Sequence, residues 1–345
     1  MQESLILVKG TGIFVPGAWN TRNPLFLMKL AEIESQSDEQ RKDRCARLSR
    51  LVEHIGDTPL LEMPRLSEEV APVRILGKAE WFNPGGSVKD RAALGMIEDG
   101  IQTGKLTKDK ILLDATSGNT GIAYAMICAA MGYRVRLCVP KNMSLIRRQI
   151  LESYGAELIL TAPHLGSDGA IEEAIRLYKE SPDVYFYPDQ YSNDANWKAH
   201  YHGTGRELIR QTNGEITHFI TGLGTSGTFT GTGRRLKEFN KDIRLISFQP
   251  DSPMHGLEGL KHLPTNLVPS IYDADLADEN YWVRTEEAQA MCRRVAREEG
   301  LLIGISAGAA VATALRAARK LSRGVVVAVL CDSGHKYIDM DYWRG

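Results

Sequence analysis

Beyond residue 110 the apolar residues come in short runs separated by helix-length stretches. Ile111-Leu-Leu-Asp-Ala115 reads as a buried strand and 121–131 as an apolar helix. Arg134-Val-Arg-Leu-Cys-Val139 is a second strand stopped by Pro140. A helix at 144–154, closed by Gly155, leads to a third strand at 157–161. The cycle returns with a strand at 217–221, a helix at 228–239 and a strand at 242–248. Helices at 285–299 and 308–321 and an unbroken apolar strand at 324–330 complete it. Short strands alternating with helices predict parallel sheets joined by right-handed crossovers. We read two α/β sheets with a cleft between them, and such sheets bind ligands at the carboxyl ends of their strands. Residues 1–45 break the pattern, with Gly-Thr-Gly, Pro16, a helical stretch at 25–34 and a charged run after it. They read as an extension packed on the body or on a partner chain.

Composition adds boundaries. The 345 residues suffice for two domains or one large α/β unit, and 43% hydrophobic with 25% charged residues is ordinary for a soluble globular chain. A net charge of -1 gives no reason to expect nucleic acid or an anionic membrane as partner. Five widely spaced cysteines without a CxxC argue against a disulfide framework or a zinc site and fit a reducing compartment. The apolar run at 5–8 is too short for a signal-peptide core or a membrane span, so the expected location is cytoplasmic. His200 and His202 form an HxH without a further ligand nearby, which reads as a packed or surface pair, and no metal is expected.

Four glycine-rich segments carry the chemistry. In Asn83-Pro-Gly-Gly-Ser-Val-Lys-Asp-Arg91 a tight turn delivers Lys89 to the start of a helix. A fixed amine suits imine formation with a carbonyl; the plain alternative is a surface lysine. Thr116-Ser-Gly-Asn-Thr-Gly121 lies between a strand and a helix, where hydroxyls, an amide and free N–H groups can hold a carboxylate or phosphate; the alternative is an ordinary helix cap. Gly222-Leu-Gly-Thr-Ser-Gly-Thr228 also opens a helix. Residues 222–227 satisfy GxGxxG with Asp251 further on, so a dinucleotide fold is the rival reading. The crowd of hydroxyls at Thr225, Ser226 and Thr228 suits a terminal phosphate instead. Gly304-Ile-Ser-Ala-Gly-Ala309 offers Ser306 as its one polar side chain, or is a helix cap. An amine, a carboxylate-type loop and a phosphate-type loop together describe pyridoxal phosphate carrying an amino acid.

From 55 to 337 the chain resembles the cysteine synthase family of fold type II pyridoxal-phosphate enzymes. Ile55-Gly-Asp-Thr-Pro-Leu60, 83–91, 116–121, 222–228, 304–308 and Asp332-Ser-Gly334 occur in that family's order and spacing. The resemblance implies two three-layer α/β domains with mostly parallel twisted sheets, the tryptophan synthase β-like fold, and the cofactor in the cleft. It implies a smaller mobile domain of 46–60 and 83–193 holding the substrate carboxylate. The larger domain of 61–82 and 194–345 would hold the cofactor phosphate, with 1–45 as an added extension.

By the same resemblance Lys89 carries the cofactor and moves the Cα proton, and Asn119 bonds the cofactor's ring oxygen. Gly224, Thr225, Ser226, Gly227 and Thr228 cradle the phosphate, and Ser306 faces the ring nitrogen. Thr116, Ser117, Gly118, Thr120 and Gln190 grip the substrate carboxylate; Gln190 stands in Asp189-Gln-Tyr-Ser-Asn193. Two departures are Ser226 for a usual Gly and Ala307 for a usual Ser. The implied reaction is β-replacement on O-acetyl- or O-phosphoserine by a sulfur nucleophile, in a homodimer. Lys261, in the loop 252–262, is a hypothetical partner for a substrate phosphate, or else a solvated loop lysine. A cystathionine synthase-like or β-eliminating enzyme, and more remotely a cofactor-binding scaffold, are the alternatives.

Overall fold

The computed structural model describes residues 51–116 and 118–344; the extension at 1–45 and Ser117 lie outside that range. The strands are β1 Leu60–Glu62, β2 Arg74–Ala79, β3 Ile111–Ala115, β4 Arg134–Pro140, β5 Glu157–Thr161, β6 Tyr185–Phe186, β7 His218–Gly222, β8 Arg244–Pro250, β9 Glu279–Val283 and β10 Val325–Leu330. The helices are α1 Pro64–Glu68, α2 Lys89–Gln102, α3 Asn119–Met131, α4 Leu145–Ser153, α5 Gly166–Glu180, α6 Asp194–His202, α7 Thr204–Gln211, α8 Gly227–Phe239, α9 Thr285–Glu299 and α10 Ile305–Ala318.

The strands form two sheets, with orders β1-β2-β10-β7-β8-β9 and β5-β4-β3-β6. Every pairing is parallel except the β1–β2 hairpin edge. Strand β10, Val-Val-Val-Ala-Val-Leu, is buried at all six positions. Helices cover both faces of its sheet, which is why an unbroken apolar run becomes its centre. In the smaller sheet β3 and β4 pair from Ile111 with Arg134 to Ala115 with Cys138. Helix α3 is apolar nearly all round and is packed among Ala92–Ile97 of α2, Leu112, Val135 and Leu137. An α/β architecture with two mostly parallel sheets is as expected.

Several elements escaped the sequence reading. The β1–β2 hairpin, α1, α5, α6, α7, β6 and β9 were not anticipated. Predicted boundaries also moved. Helix α10 begins at Ile305, three residues before its expected start, and α3 begins at Asn119 instead of Gly121. Ser306, Asn119 and Thr120 therefore sit inside first turns, where exposed backbone N–H groups gather. Strand β8 lies at 244–250, two residues later than expected. Among the described residues no helix is long and apolar enough to cross a membrane.

Candidate active site

The turn that presents Lys89 is held from all sides. The Asn83 amide accepts from Gly56 N at 2.8 Å and donates to Glu80 O, Glu80 Oε2 and Ser87 O at 2.9, 2.8 and 3.0 Å. Val88 N donates to Cys331 O at 2.8 Å, fastening the turn to the end of β10. Behind it Arg91 is clasped by Glu80 at 2.7 Å and Glu207 at 2.6 Å, and Lys78 donates to Glu207 at 2.5 Å. These four charged side chains are buried. Such a cluster survives out of water only because each charge meets an opposite one. Although burial opposes it, Arg91 and Lys78 hold the Glu207 carboxyl far below the usual range. Lys89 thus stands half-buried at the first position of α2, on a base that cannot drift.

Burial pushes the Cys331 thiol up to about 11, against the pull of the neighbouring Lys89 charge and the Ser306 hydroxyl. Burial first, then Arg91 and Lys89, drive His200 well below its ordinary pKa. The Lys89 charge thus acts on both Cys331 and His200. His200 is buried and neutral; its Nδ1 pairs with Thr204 Oγ1 at 3.0 Å and its Nε2 with Thr228 Oγ1 at 3.3 Å. The HxH motif is thus a packing feature that reaches the Gly222–Thr228 loop.

That loop enters α8 through Ser226, whose φ of 67° is rare for a residue with a side chain. Two of its glycines are obligatory by contact. A Cβ at Gly224 would stand 2.2 Å from Gly259 O, and one at Gly227 would stand 2.0 Å from Asn196 Oδ1. Ser226 is 3% exposed, and its buried hydroxyl has no partner in the described structure. A buried orphan hydroxyl at the N-terminus of a thirteen-residue helix fits a phosphate with acceptor oxygens to satisfy. The donor set therefore suits the phosphate of pyridoxal phosphate.

The carboxylate-type loop is tied to the phosphate-type loop by a continuous chain of side chains. Thr120 Oγ1 donates to Gln190 Oε1 and Gln190 Nε2 to Asp114 Oδ2, both at 3.2 Å. Asn196 Nδ2 then donates to Gln190 O at 2.7 Å and to Thr225 Oγ1 at 3.1 Å. Burial lifts the Asp114 carboxyl to about 7, opposed by bonds from Ala115 N, Tyr124 and Gln190. Gly118 caps α3, and nothing lies within 4 Å of a Cβ built there, so this end of the cleft is open. Thr116 is half-buried beside it. Ser117 falls outside the described residues.

Lys261 joins the same neighbourhood. Its N–H donates to Leu223 O at 2.8 Å, and its Nζ lies 4.5 Å from the Tyr191 ring centroid, next to Gln190. Burial lowers its pKa, against the attraction of Asp168. Asn119, on the first turn of α3, donates to Asp332 Oδ2 and accepts from Lys336 Nζ, each at 2.7 Å. Three participants were not singled out from sequence: Asn196, Asp332 as a hydrogen-bond partner, and Lys336. Asn196 lies three residues beyond Asn193, which closes the quoted Gln190 segment and caps α6 by accepting from Ala195 N at 2.9 Å. An asparagine one helical turn past a cap was the available signal.

The sequence profile of the family described as pyridoxal-phosphate dependent enzyme matches residues 51–332. A cysteine synthase of Aquifex aeolicus is 46% identical over 290 residues, 82% of this chain and 89% of the relative. Among solved structures, cysteine synthase from Entamoeba histolytica superposes with a TM-score of 0.82 at 35% identity, covering 86% of this chain and 90% of the other. An O-ureido-L-serine synthase superposes with a TM-score of 0.80 at 36% identity, covering 86% and 95%.

Proposed function

The chain belongs to the pyridoxal-phosphate-dependent enzyme family, and we propose that it forms L-cysteine by β-replacement on an O-activated L-serine. The overall change breaks the Cβ–O bond of the serine derivative and forms a Cβ–S bond. Acetate or phosphate leaves, and the α-proton is removed and restored. Bound pyridoxal phosphate supplies an electrophilic aldehyde carbon and an electron-accepting ring.

The protein's own groups divide the remaining work. Lys89 holds the cofactor aldehyde and, when released, removes and returns the proton at Cα. Gly224, Thr225, Ser226, Gly227 and Thr228 hold the phosphate at the start of α8. Asn119 donates to the ring oxygen. Ser306 meets the ring nitrogen with a hydroxyl, which does not fix a proton there as a carboxylate would. Thr116, Ser117, Gly118, Thr120 and Gln190 hold the substrate carboxylate, and Lys261 meets the leaving phosphate when the substrate is O-phosphoserine. Residues 46–60 and 83–193 form the part that closes over the carboxylate and excludes water; 61–82 and 194–345 form its counterpart. The working form is a homodimer in a reducing cytoplasm, in keeping with free thiols at Cys128, Cys138, Cys292 and Cys331.

The observation that carries this reading is the Thr120–Gln190–Asn196–Thr225 chain, which ties the Thr116–Gly121 loop to the Gly222–Thr228 loop. The test is product analysis with O-acetylserine and O-phosphoserine, each supplied with sulfide. Cysteine in proportion to substrate consumed supports β-replacement. Pyruvate with no cysteine would assign the site to β-elimination.

A further inference from the structure

The segment that follows β10 sends two charged side chains back into the site. Asp332 follows β10, and Lys336 lies in the 3-10 turn Gly334–Tyr337. Lys336 Nζ donates to Gly85 O at 3.0 Å, Gly86 O at 3.3 Å and Asn119 Oδ1 at 2.7 Å. These three acceptors match the three hydrogens of an ammonium. Asp332 is fully buried; its Oδ2 accepts from Asn119 Nδ2 at 2.7 Å and from Tyr337 Oη at 2.6 Å. The Asn119 amide therefore lies between a cation at its oxygen and an anion at its nitrogen.

Only one orientation of that amide satisfies both neighbours. Rotated by 180°, it would set its oxygen against the Asp332 carboxylate and its NH2 against the Lys336 ammonium, losing two charge-assisted hydrogen bonds at once. The oxygen and nitrogen of an asparagine amide are told apart by the hydrogen bonds each can make. Here the nitrogen is directed, and its second hydrogen is free of Asp332. The same ammonium also grips both carbonyls of the Gly85–Gly86 turn that leads to Lys89. One cation thus joins the amine-bearing turn to the amide across the cleft.

We propose that Lys336, with Asp332, is a positioning pair that orients the Asn119 amide toward the cofactor's ring oxygen and locks it to the Lys89 turn. The inference rests on the roles given above to Lys89 and Asn119. Lys336 acts through Asn119, whose Oδ1 it holds at 2.7 Å.

The test uses holoenzyme of wild type, Lys336→Met and Lys336→Arg, read by visible circular dichroism of the bound cofactor and by its dissociation constant. Lys336→Met should still attach cofactor at Lys89, but with roughly tenfold weaker retention and an altered visible dichroic band. Lys336→Arg should recover most of both. A Lys336→Met holoenzyme with the wild-type band and affinity within about twofold overturns the proposal, whatever its melting temperature. If Lys336→Met does not fold, Lys336→Gln is read by the same two quantities against the same thresholds. Failure of the functional reading would look different, since wild type itself would then show no cofactor band or no attachment at Lys89.

Discussion

Replacing Asn196 by alanine removes the link between Gln190 and the Gly222–Thr228 loop. Asn196 is 1% exposed, and its amide gives hydrogen bonds of 2.7 Å to Gln190 O and 3.1 Å to Thr225 Oγ1. Both acceptors belong to residues that are themselves under a tenth exposed. Two buried bonds, each losing its donor, cost about 2–4 kcal/mol in folding stability. Water entering the vacated space would bring the loss to the lower end of that range. The functional consequence is more specific. Thr225 belongs to the phosphate loop, so its release should weaken pyridoxal phosphate more than pyridoxal, which lacks the phosphate. A loss of about 1.4 kcal/mol confined to the phosphate contact lowers that preference about tenfold. Urea denaturation followed by circular dichroism gives the first quantity, and equilibrium titration of apoprotein with each vitamer gives the second. If Asn196→Ala loses stability yet keeps the full preference for the phosphorylated vitamer, the phosphate loop is held independently and the coupling argument is refuted.

Other perturbations separate the remaining parts of the account. Glu207→Gln leaves Arg91 and Lys78 with Glu80 as their shared carboxylate and should cost about 3–5 kcal/mol in a urea melt; a loss under about 1 kcal/mol would mean that water reaches the cluster. Burial raises the Asp90 carboxyl to about 7, opposed by the Gly85 N–H. With the folded pKa above the unfolded one, its contribution to stability is complete below pH ~4 and is lost as pH rises to ~7. The stability of Asp90→Asn relative to wild type should accordingly climb by on the order of 2–4 kcal/mol across that window; a flat difference contradicts the assignment. Lys261→Ala should raise KM for O-phosphoserine about tenfold more than KM for O-acetylserine, and equal changes in steady-state assays would remove Lys261 from the site.

Much of this arrangement was legible because it lies in short apolar runs and glycine turns. Strand β10 is apolar at every position, and the helices after 116–121 and 222–228 begin where small and hydroxyl residues gather. What escaped did so for identifiable reasons. Strand β2 carries Lys78 next to its last position, a residue normally read as exposed, and its bonds to Thr58 O, Glu207 and Gln211 make its burial tolerable. Helix α5 opens on Gly-Ser-Asp-Gly, which reads as a loop. Strand β9, Glu-Asn-Tyr-Trp-Val, buries only Tyr281 and Val283 at the sheet edge. Within the site, the glycine turns, Gln190 and Lys261 were singled out from sequence, while Asn196 and Lys336 were not. Asn196 and Lys336 bond residues separated from them by 6 to 251 positions, and beyond the nearby Asn193 cap no local pattern marks either residue.

The central claim is that Lys89 is the amine that holds the cofactor aldehyde. Borohydride reduction of the holoenzyme, followed by tryptic digestion and mass spectrometry, tests it directly. The account predicts one pyridoxyl-modified peptide, spanning 79–91 with the modification on Lys89 and cleavage there blocked. Modification of a different lysine, or a colourless protein that reduction leaves unmodified, would contradict it.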